Sequence, residues 1–178
     1  MKYEIAAQIF LATVRAARQH REFSMLALDE QNRILRRGWA AAFVLRAAVW
    51  PIDLAIFWKT NTADVIHERA DVISAARNII STIRPDPVEF SILETLLLCR
   101  PEIAETMNSF RLMARATDIA VETLARHLAN RNQSSARTIK LMLVLPVLTA
   151  FCPRELAADL FAPIIGDVNL EKVIASVR

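Results

Sequence analysis

The stretch FSMLALDEQNRILRRGWAAAFVL, residues 23–45, decides the fold. It opens with apolar residues and continues with two acids and three arginines at helical spacing: Asp29, Glu30, Arg33, Arg36 and Arg37. Acids near a helix N-terminus and bases further along it are favoured by the helix dipole. The pattern predicts a helix from Asp29, a good N-cap residue, to about Trp50, because Pro51 follows. It leaves open whether the arginines are solvated residues or line a docking groove.

The composition favours a single all-helical domain. The chain has 178 residues, enough for one domain with a substantial core. Hydrophobic residues make up 54% of it, and only 2 glycines occur. So few glycines argue against a turn-rich β fold and against a phosphate-cradling loop. The formal charge of +3 is too small and too scattered to argue for nucleic-acid binding by itself.

Apolar periodicity predicts helices along almost the whole chain. They cover approximately residues 2–20, 29–50, 63–83, 88–99, 104–130, 134–151, 154–162 and 168–177. Between them we expect a turn or short irregular segment at 51–62, a firm break at RPDP (84–87) and a turn at IIGD (164–167). Pro146 should kink the helix that contains it, since proline donates no backbone hydrogen bond.

The two cysteines and the apolar stretches indicate a protein of a reducing compartment with no membrane span. Cys99 and Cys152 fit no pair motif and no zinc spacing, so we predict two free buried thiols. The apolar stretch 40–58 is interrupted by charged residues and a proline. The stretch 141–152 is much shorter than the ~20 residues that cross a bilayer.

No residue pattern predicts catalysis, a cofactor or a metal site. His67 and Glu68 begin like a helical zinc-protease motif, but Asp71 stands where the second histidine is required. His20 and His127 have no evident ligand or nucleophile partner, so we expect ordinary packing or surface roles. The chemistry of the chain therefore points to binding instead of a reaction.

The deciding stretch resembles the signature of nuclear receptor ligand-binding domains. In that family a Phe-x-x-Leu-x-x-Asp-x-Gln turn precedes a helix that carries Leu-Leu and a tryptophan. The matching residues are Phe23, Leu26, Leu28, Asp29, Gln31, Leu35 and Trp39. RPDPVEFSILETLLLCRPE (84–102) resembles the segment before the family's eighth helix, and ARTIKLMLVLPVL with ELAADLFAPIIGD (136–167) resembles its tenth and eleventh helices.

The resemblance implies an all-α, three-layer antiparallel helical sandwich that starts at the family's third helix. Residues 1–178 would be one regulatory domain, an excised one without the family's first helix, and 168–178 its terminal activation-type helix. DNA would be bound only through a separate zinc domain that is not in this chain, and the nucleus is the expected location. AFVLRAAVWPID and LFAPIIGDVNLEKVI look most like the tailless and photoreceptor-specific orphan group.

The resemblance also implies a hydrophobic groove that binds a short amphipathic helix of a coregulator. The family-derived positions are Leu11, Val14, Arg18, Gln31, Asn32, Leu35 and Arg36. The spacing 11, 14 and 18 independently places three of them on one helical face. Arg18 stands where the family usually has lysine, and Asn32 replaces an apolar groove residue, so peptide binding should be weakened or redirected.

The terminal helix lacks the acid that completes the family's peptide clamp. Aligning VIASVR (173–178) with the family pattern puts Ser176 at the acidic position. Its apolar face remains: Leu170, Val173, Ile174 and Val177. We expect this helix to rest in or near the groove and to exclude coactivators; the alternative is a last helix that is simply packed on the core.

Ligand binding and dimerisation follow less directly from the resemblance. Four aromatic residues could line a pocket for an unidentified apolar ligand or could simply fill the core: Phe43, Trp50, Phe57 and Trp58. Trp50 stands where related receptors hold acidic ligands with an arginine. The helix 134–151 is the family's usual dimer surface, and a homodimer or a monomer is expected because Ala41 replaces a glutamate of heterodimerising receptors.

The sequence thus predicts the regulatory domain of an orphan nuclear receptor, a repressor that recruits a corepressor helix, of the atrophin type in the family group it resembles. The alternative is a helical sensor whose main activity is small-molecule binding. A third reading is a helical protein with an interaction role outside transcription. Neither a catalytic residue nor a cofactor is predicted.

Overall fold

The computed structural model describes residues 2–58, 64–161 and 170–178, and every described regular element is helical. The helices are α1 Lys2–Gln19, α2 Arg21–Ser24, α3 Leu28–Val49, α4 Ala55–Trp58, α5 Asp64–Ile83, α6 Pro87–Leu98, α7 Met107–Leu128, α8 Ser134–Thr149, α9 Pro153–Leu160 and the terminal helix Leu170–Ser176. A short 3₁₀ turn, Pro101–Ile103, separates α6 from α7. The predicted IIGD turn lies outside the described residues.

The helices pack in three layers around α3. On one side α3 contacts α1, and on the other it contacts α5 and α8, which also contact each other. The α6 helix contacts α3, α7 and α8, and it thereby connects α7 to α3. The all-α sandwich predicted from the sequence is confirmed.

The core is centred on Trp39 of α3, which is 1% exposed. Its ring meets Phe10 of α1 edge-on at 5.3 Å between centroids and Phe43 at 5.7 Å. Phe161, after α9, packs edge-on against Phe10 at 5.3 Å. Each such aromatic pair adds about 0.5–1.5 kcal/mol to the free energy gained from burial alone. The tryptophan of the deciding stretch therefore joins α1, α3 and the end of α9.

The start of α3 differs from the prediction. Asp29 is not the N-cap: the helix begins at Leu28, and Ala27 is the N-cap, without a side-chain hydrogen bond. The Gln31 amide instead donates to the Leu26 carbonyl at 3.0 Å and fixes the turn that leads into the helix. Asp29 lies in the first helical turn, where its negative charge is still favoured by the dipole.

Both α6 and α7 begin with a capping box. Asp86 caps α6, with Pro87 in the first turn, as the RPDP motif predicted. Thr106 caps α7, which starts later than the sequence suggested because the 3₁₀ turn precedes it. In both boxes the residue three positions on returns a side-chain hydrogen bond to the cap, so two backbone donors are satisfied.

The second half of the chain brings one confirmation and one correction. Pro146 lies inside α8, and the helix continues past it to Thr149; the predicted kink or local loss of hydrogen bonding at Pro146 stays a prediction. Cys99 is a buried free thiol, but Cys152 is exposed and not buried as predicted. Cys152 directly precedes α9, in the bend between two helices, where the chain turns at the surface.

No single helix in the described ranges is long and apolar enough to cross a membrane; α8 and α9, bent by 68°, would qualify only as a pair.

Candidate helix-docking groove

Arg18, at the end of α1, joins three segments of the chain. Its Nε donates to the Val177 carbonyl at 3.1 Å and its Nη2 to the Ile174 carbonyl at 3.0 Å. The same guanidinium donates to Gln31 Oε1 at 3.0 Å and to Asn32 Oδ1 at 2.6 Å. Burial lowers the pKa of Arg18, yet an arginine remains protonated at neutral pH. A cation therefore faces the last carbonyls of the terminal helix, the end where the helix dipole is negative.

The apolar floor beside Arg18 is formed by α1 and α3. Val14 and Leu35 are both 0% exposed, and Leu11 is half-buried. The terminal helix lies against α3 and buries its own apolar face, with Ile174 and Val177 buried and Leu170 and Val173 half-buried. Of the seven residues predicted from the family resemblance, Arg18, Gln31, Asn32 and Arg36 are joined by hydrogen bonds and an ion pair beside the terminal helix, and the groove as a whole stays a prediction.

Arg36 holds the other end of the terminal helix. Its Nη1 lies 3.0 Å from Glu171 Oε1, and Glu171 is in the first turn of that helix. Glu171 was not predicted as a site residue, because no local pattern links it to an arginine 135 positions earlier. The one sequence signal for this ion pair was that Glu171 carries a charge opposite to that of the basic residues of α3. The helix is consequently bound by a cation at its C-terminal end and by an ion pair at its N-terminal end.

Gln31 and Asn32 act by orienting Arg18 in this structure. Gln31 is 7% exposed, and its amide both accepts from Arg18 and donates to the Leu26 carbonyl. Asn32, which replaces an apolar residue of the family pattern, supplies a carbonyl oxygen to the same guanidinium. The two side chains fix the planar fork of the arginine through two oxygen atoms, Gln31 Oε1 and Asn32 Oδ1, a geometry that lysine could not reproduce.

The other two arginines of the deciding stretch have partners outside the terminal helix, and Arg33 shares one of them, Glu105, with Arg36. Arg33 Nε lies 3.4 Å from Glu105 Oε2, and both side chains are partly exposed. Arg37 donates to the Ile103 carbonyl at 3.5 Å. Such exposed pairs contribute little to stability, between about 0 and 1 kcal/mol. Of the three arginines in the deciding stretch, Arg36 alone contacts the terminal helix among the described residues.

Ser176 occupies the position where the family pattern has an acid. It is exposed, and its hydroxyl donates to the Val173 carbonyl of its own helix at 2.7 Å. The hydroxyl therefore has a local hydrogen bond and no charge to offer to a peptide. The acid that this helix does carry, Glu171, faces Arg36 at the opposite end.

The aromatic residues predicted to line a pocket divide between two environments. Phe43 is 1% exposed and packs against Trp39 in the core. Trp50 is half-buried and caps the C-terminus of α3. The side chains of Phe57 and Trp58 lie outside the part of the structure that is described. The ligand pocket that these residues would line stays a prediction.

His20 and the buried cysteine have structural partners. His20 caps α2, where its Nδ1 accepts the Phe23 N–H at 3.3 Å, and its Nε2 lies 3.0 Å from Thr95 Oγ1. Burial lowers the pKa of His20, so the neutral ring is favoured. Burial raises the pKa of the Cys99 thiol to about 12, which keeps it unreactive at neutral pH. In the described ranges no three histidine, cysteine or acidic side chains are placed to hold a metal ion.

Comparison with known proteins gives one informative similarity. No protein-family model matches the chain. The chain is 22% identical over 190 residues to orphan steroid hormone receptor 2 of Strongylocentrotus purpuratus, an alignment that covers 96% of this chain. The similarity supports a relationship to nuclear receptors. It does not distinguish the tailless or photoreceptor-specific subgroup, and the chain spans only 32% of the relative's length.

Proposed function

We propose that this chain is the regulatory domain of an orphan nuclear receptor that represses transcription by docking corepressor helices between α1 and α3. The supporting observation is that Arg18 already binds the terminal carbonyls of one amphipathic helix. A coregulator helix with the same apolar face would be recognised by the same chemistry. The relationship to nuclear receptors supports a non-catalytic role in the nucleus.

The terminal helix is, in this proposal, a competitor for the groove. Leu170, Val173 and Ile174 have the i, i+3, i+4 spacing with which a coregulator helix presents its apolar anchors. Because the helix is tethered, its effective concentration at the groove is of the order of millimolar. A partner must therefore displace it, and a partner that relies on an acidic clamp residue at position 176 finds serine instead. We assign the resulting state to repression, with coactivator helices excluded.

The partners follow from the same proposal. The corepressor would present an amphipathic helix of the atrophin type, and DNA would be bound only through a separate zinc domain. Self-association would use α8, where Ile139 is 59% and Leu143 is 64% exposed one helical turn apart. Exposed apolar residues at this spacing form a stripe that a second copy of α8 could cover.

A titration of labelled peptides tests the proposal. A corepressor-type helical peptide should bind the chain, and Arg18→Glu should weaken that binding by at least about tenfold, since it places an acid against helix carbonyls. Arg15→Glu, on the same helix but exposed, is the matched control and should leave the affinity unchanged.

Two outcomes would overturn the proposal. Equal effects of Arg18→Glu and Arg15→Glu would show that charge in general, and not the groove, controls binding. No peptide binding together with saturable stabilisation by an apolar small molecule would favour the sensor function. Circular dichroism of each variant would verify that the helices are intact before the affinities are compared.

A further inference from the structure

A charged cavity lies on a different face of the domain, where α5 passes into α6 and α7 passes into α8. Its volume is about 280 Å³. Six charged side chains line it: Arg84, Asp86, Glu89, Arg131, Arg137 and Lys140. Four cations against two carboxylates leave a formal excess of two positive charges. None of these residues contacts the terminal helix or belongs to the groove.

Both carboxylates of the cavity are already engaged. Glu89, whose side chain is 1% exposed, accepts from Arg137 Nε at 2.7 Å and from Arg137 Nη2 at 2.9 Å. Asp86 accepts the Glu89 N–H at 2.8 Å and lies 2.8 Å from His127 Nε2 and 3.2 Å from Arg131. Burial opposes ionisation of Asp86, but these hydrogen bonds and charges outweigh it and lower its pKa to about 2. The acids therefore neutralise Arg137 and Arg131.

Arg84 and Lys140 are left as cations without a carboxylate partner among the described residues. Arg84 directly follows α5, and Lys140 lies in the second turn of α8. A concave surface with an excess of one sign of charge attracts counter-ions more strongly than the same charges on a flat surface. The unneutralised positive charge of the cavity is thus close in magnitude, and opposite in sign, to the charge of a phosphate monoester, which is about −1.5 to −2 at neutral pH.

The backbone at the cavity is unusual as well. Arg84 has φ 49° and Gln133 has φ 60°, and these are the described non-glycine residues with positive φ. Both line the cavity. Arg84 also precedes a proline, where the chain has fewer allowed conformations. Strained backbone conformations of this kind concentrate at ligand sites, where the surrounding structure holds them.

We propose that this cavity binds a small phosphate-bearing anion, with Arg84 and Lys140 as its direct ligands. The volume is near the lower limit of about 300 Å³ for small-molecule pockets, which fits inorganic phosphate or a compact phosphomonoester. The bound anion would join the α5–α6 junction to the α7–α8 connection and stabilise the fold.

Thermal unfolding of the whole chain at constant ionic strength tests this. Inorganic phosphate and glycerol 3-phosphate should each raise Tm in a saturable manner, whereas chloride at the same ionic strength should not. A larger effect of glycerol 3-phosphate identifies an organic phosphomonoester as the ligand class, and an equal effect identifies phosphate itself.

Substitutions at the cavity test whether the phosphate-dependent rise in Tm arises there. Arg84→Gln with Lys140→Gln should weaken the apparent phosphate affinity at least about tenfold, because hydrogen bonds between charged groups are lost. Lys140→Gln alone, on an exposed helical position, keeps the test valid where the double variant loses stability. Arg115→Gln, an exposed arginine of α7, is the control and should respond like the original chain. Retention of the full phosphate response in both cavity variants, or an equal Tm rise with chloride, would overturn the proposal.

Discussion

Arg18 combines more roles than any local pattern indicates, since it binds two carbonyls of the terminal helix and two side chains of α3 through one guanidinium. Lysine could supply the charge but only as a point, so it could not hold these four acceptors in a planar arrangement. Arg18 and Asn32 therefore fit each other, and both differ from the lysine and the apolar residue that the nuclear receptor resemblance predicts at these positions.

Removing this side chain should release the terminal helix. Arg18→Ala is expected to lower the free energy of unfolding by about 2 kcal/mol, because hydrogen bonds to a charged group are lost. Limited proteolysis should also cleave near the C-terminus faster. Arg15→Ala, exposed on the same helix, should stay within about 0.5 kcal/mol of the original chain in urea denaturation. Equal stability and equal proteolysis of the two variants would contradict this role.

Glu89 is the most deeply buried acid in the described chain, and its partner Arg137 also donates to the Ile83 carbonyl at 2.7 Å. The Arg137 hydrogen bonds lower the pKa of Glu89. Glu89→Gln should cost about 3 kcal/mol in the free energy of unfolding, since it leaves a cation facing a neutral amide. Glu102→Gln, in an exposed pair with Arg100, should cost less than about 1 kcal/mol. A Glu89 effect no larger than that of Glu102 would show that the pair is solvated.

Among the elements, α8 connects two functions of the proposal. Its inner face contacts α3, α5, α6 and α7, while Ile139 and Leu143 face solvent. Its first two turns also line the charged cavity through Arg137 and Lys140. The same helix therefore offers an apolar stripe to a second copy of the chain and a basic edge to an anion.

Leu143→Lys should disrupt self-association through this stripe. The original chain is expected to sediment as a concentration-dependent mixture of monomer and dimer, and the variant as a monomer at the same concentrations, because a lysine would be buried in the apolar contact. Val121→Lys, exposed on α7, serves as the control that should preserve the dimer. A chain that is monomeric at every concentration, or a Leu143→Lys variant that still dimerises, would exclude α8 as the interface.

At the scale of the whole molecule, acid should weaken the fold over a defined pH range. The pKa of Asp86 falls from 3.8 to about 2 on folding, so its ionised form stabilises the native state above pH 4, and this stabilisation is lost as the pH falls toward 2. Asp86→Asn keeps a capping side chain but removes the charge. Its stability should be lower than that of the original chain at pH 7, by about 1 kcal/mol or less because the partners are partly exposed.

Urea denaturation at pH 7, 4 and 2 measures this difference. The two stability curves should approach each other as the pH falls to 2, where Asp86 is protonated in the unfolded chain and about half protonated in the folded one. A constant difference across the range would mean that the substitution acts through packing instead of charge.

The sequence predicted what depends on local pattern and on resemblance, and missed what depends on distant partners. The helix order and the proline break at 84–87 were available from local pattern, whereas the groove positions on α1 and α3, taken from the family signature, stay a prediction. Glu171 was not available from local pattern, because its partner Arg36 is 135 residues away in the chain. The prediction of Asp29 as the N-cap was wrong, since α3 begins at Leu28 after a turn in which Gln31 donates to the Leu26 carbonyl. The prediction that Cys152 is buried was wrong because apolar neighbours in the sequence do not place a bend inside the core.

The most direct test of the central claim is the affinity of an LxxLL coactivator-type peptide for residues 1–178 and for residues 1–169. We predict that the peptide binds residues 1–169 at least about tenfold more tightly than residues 1–178, since the tethered helix no longer competes for the groove. Ile174→Asp in the full chain should give the same gain without removing residues. Equal affinities for all three chains would contradict a groove occupied by the terminal helix.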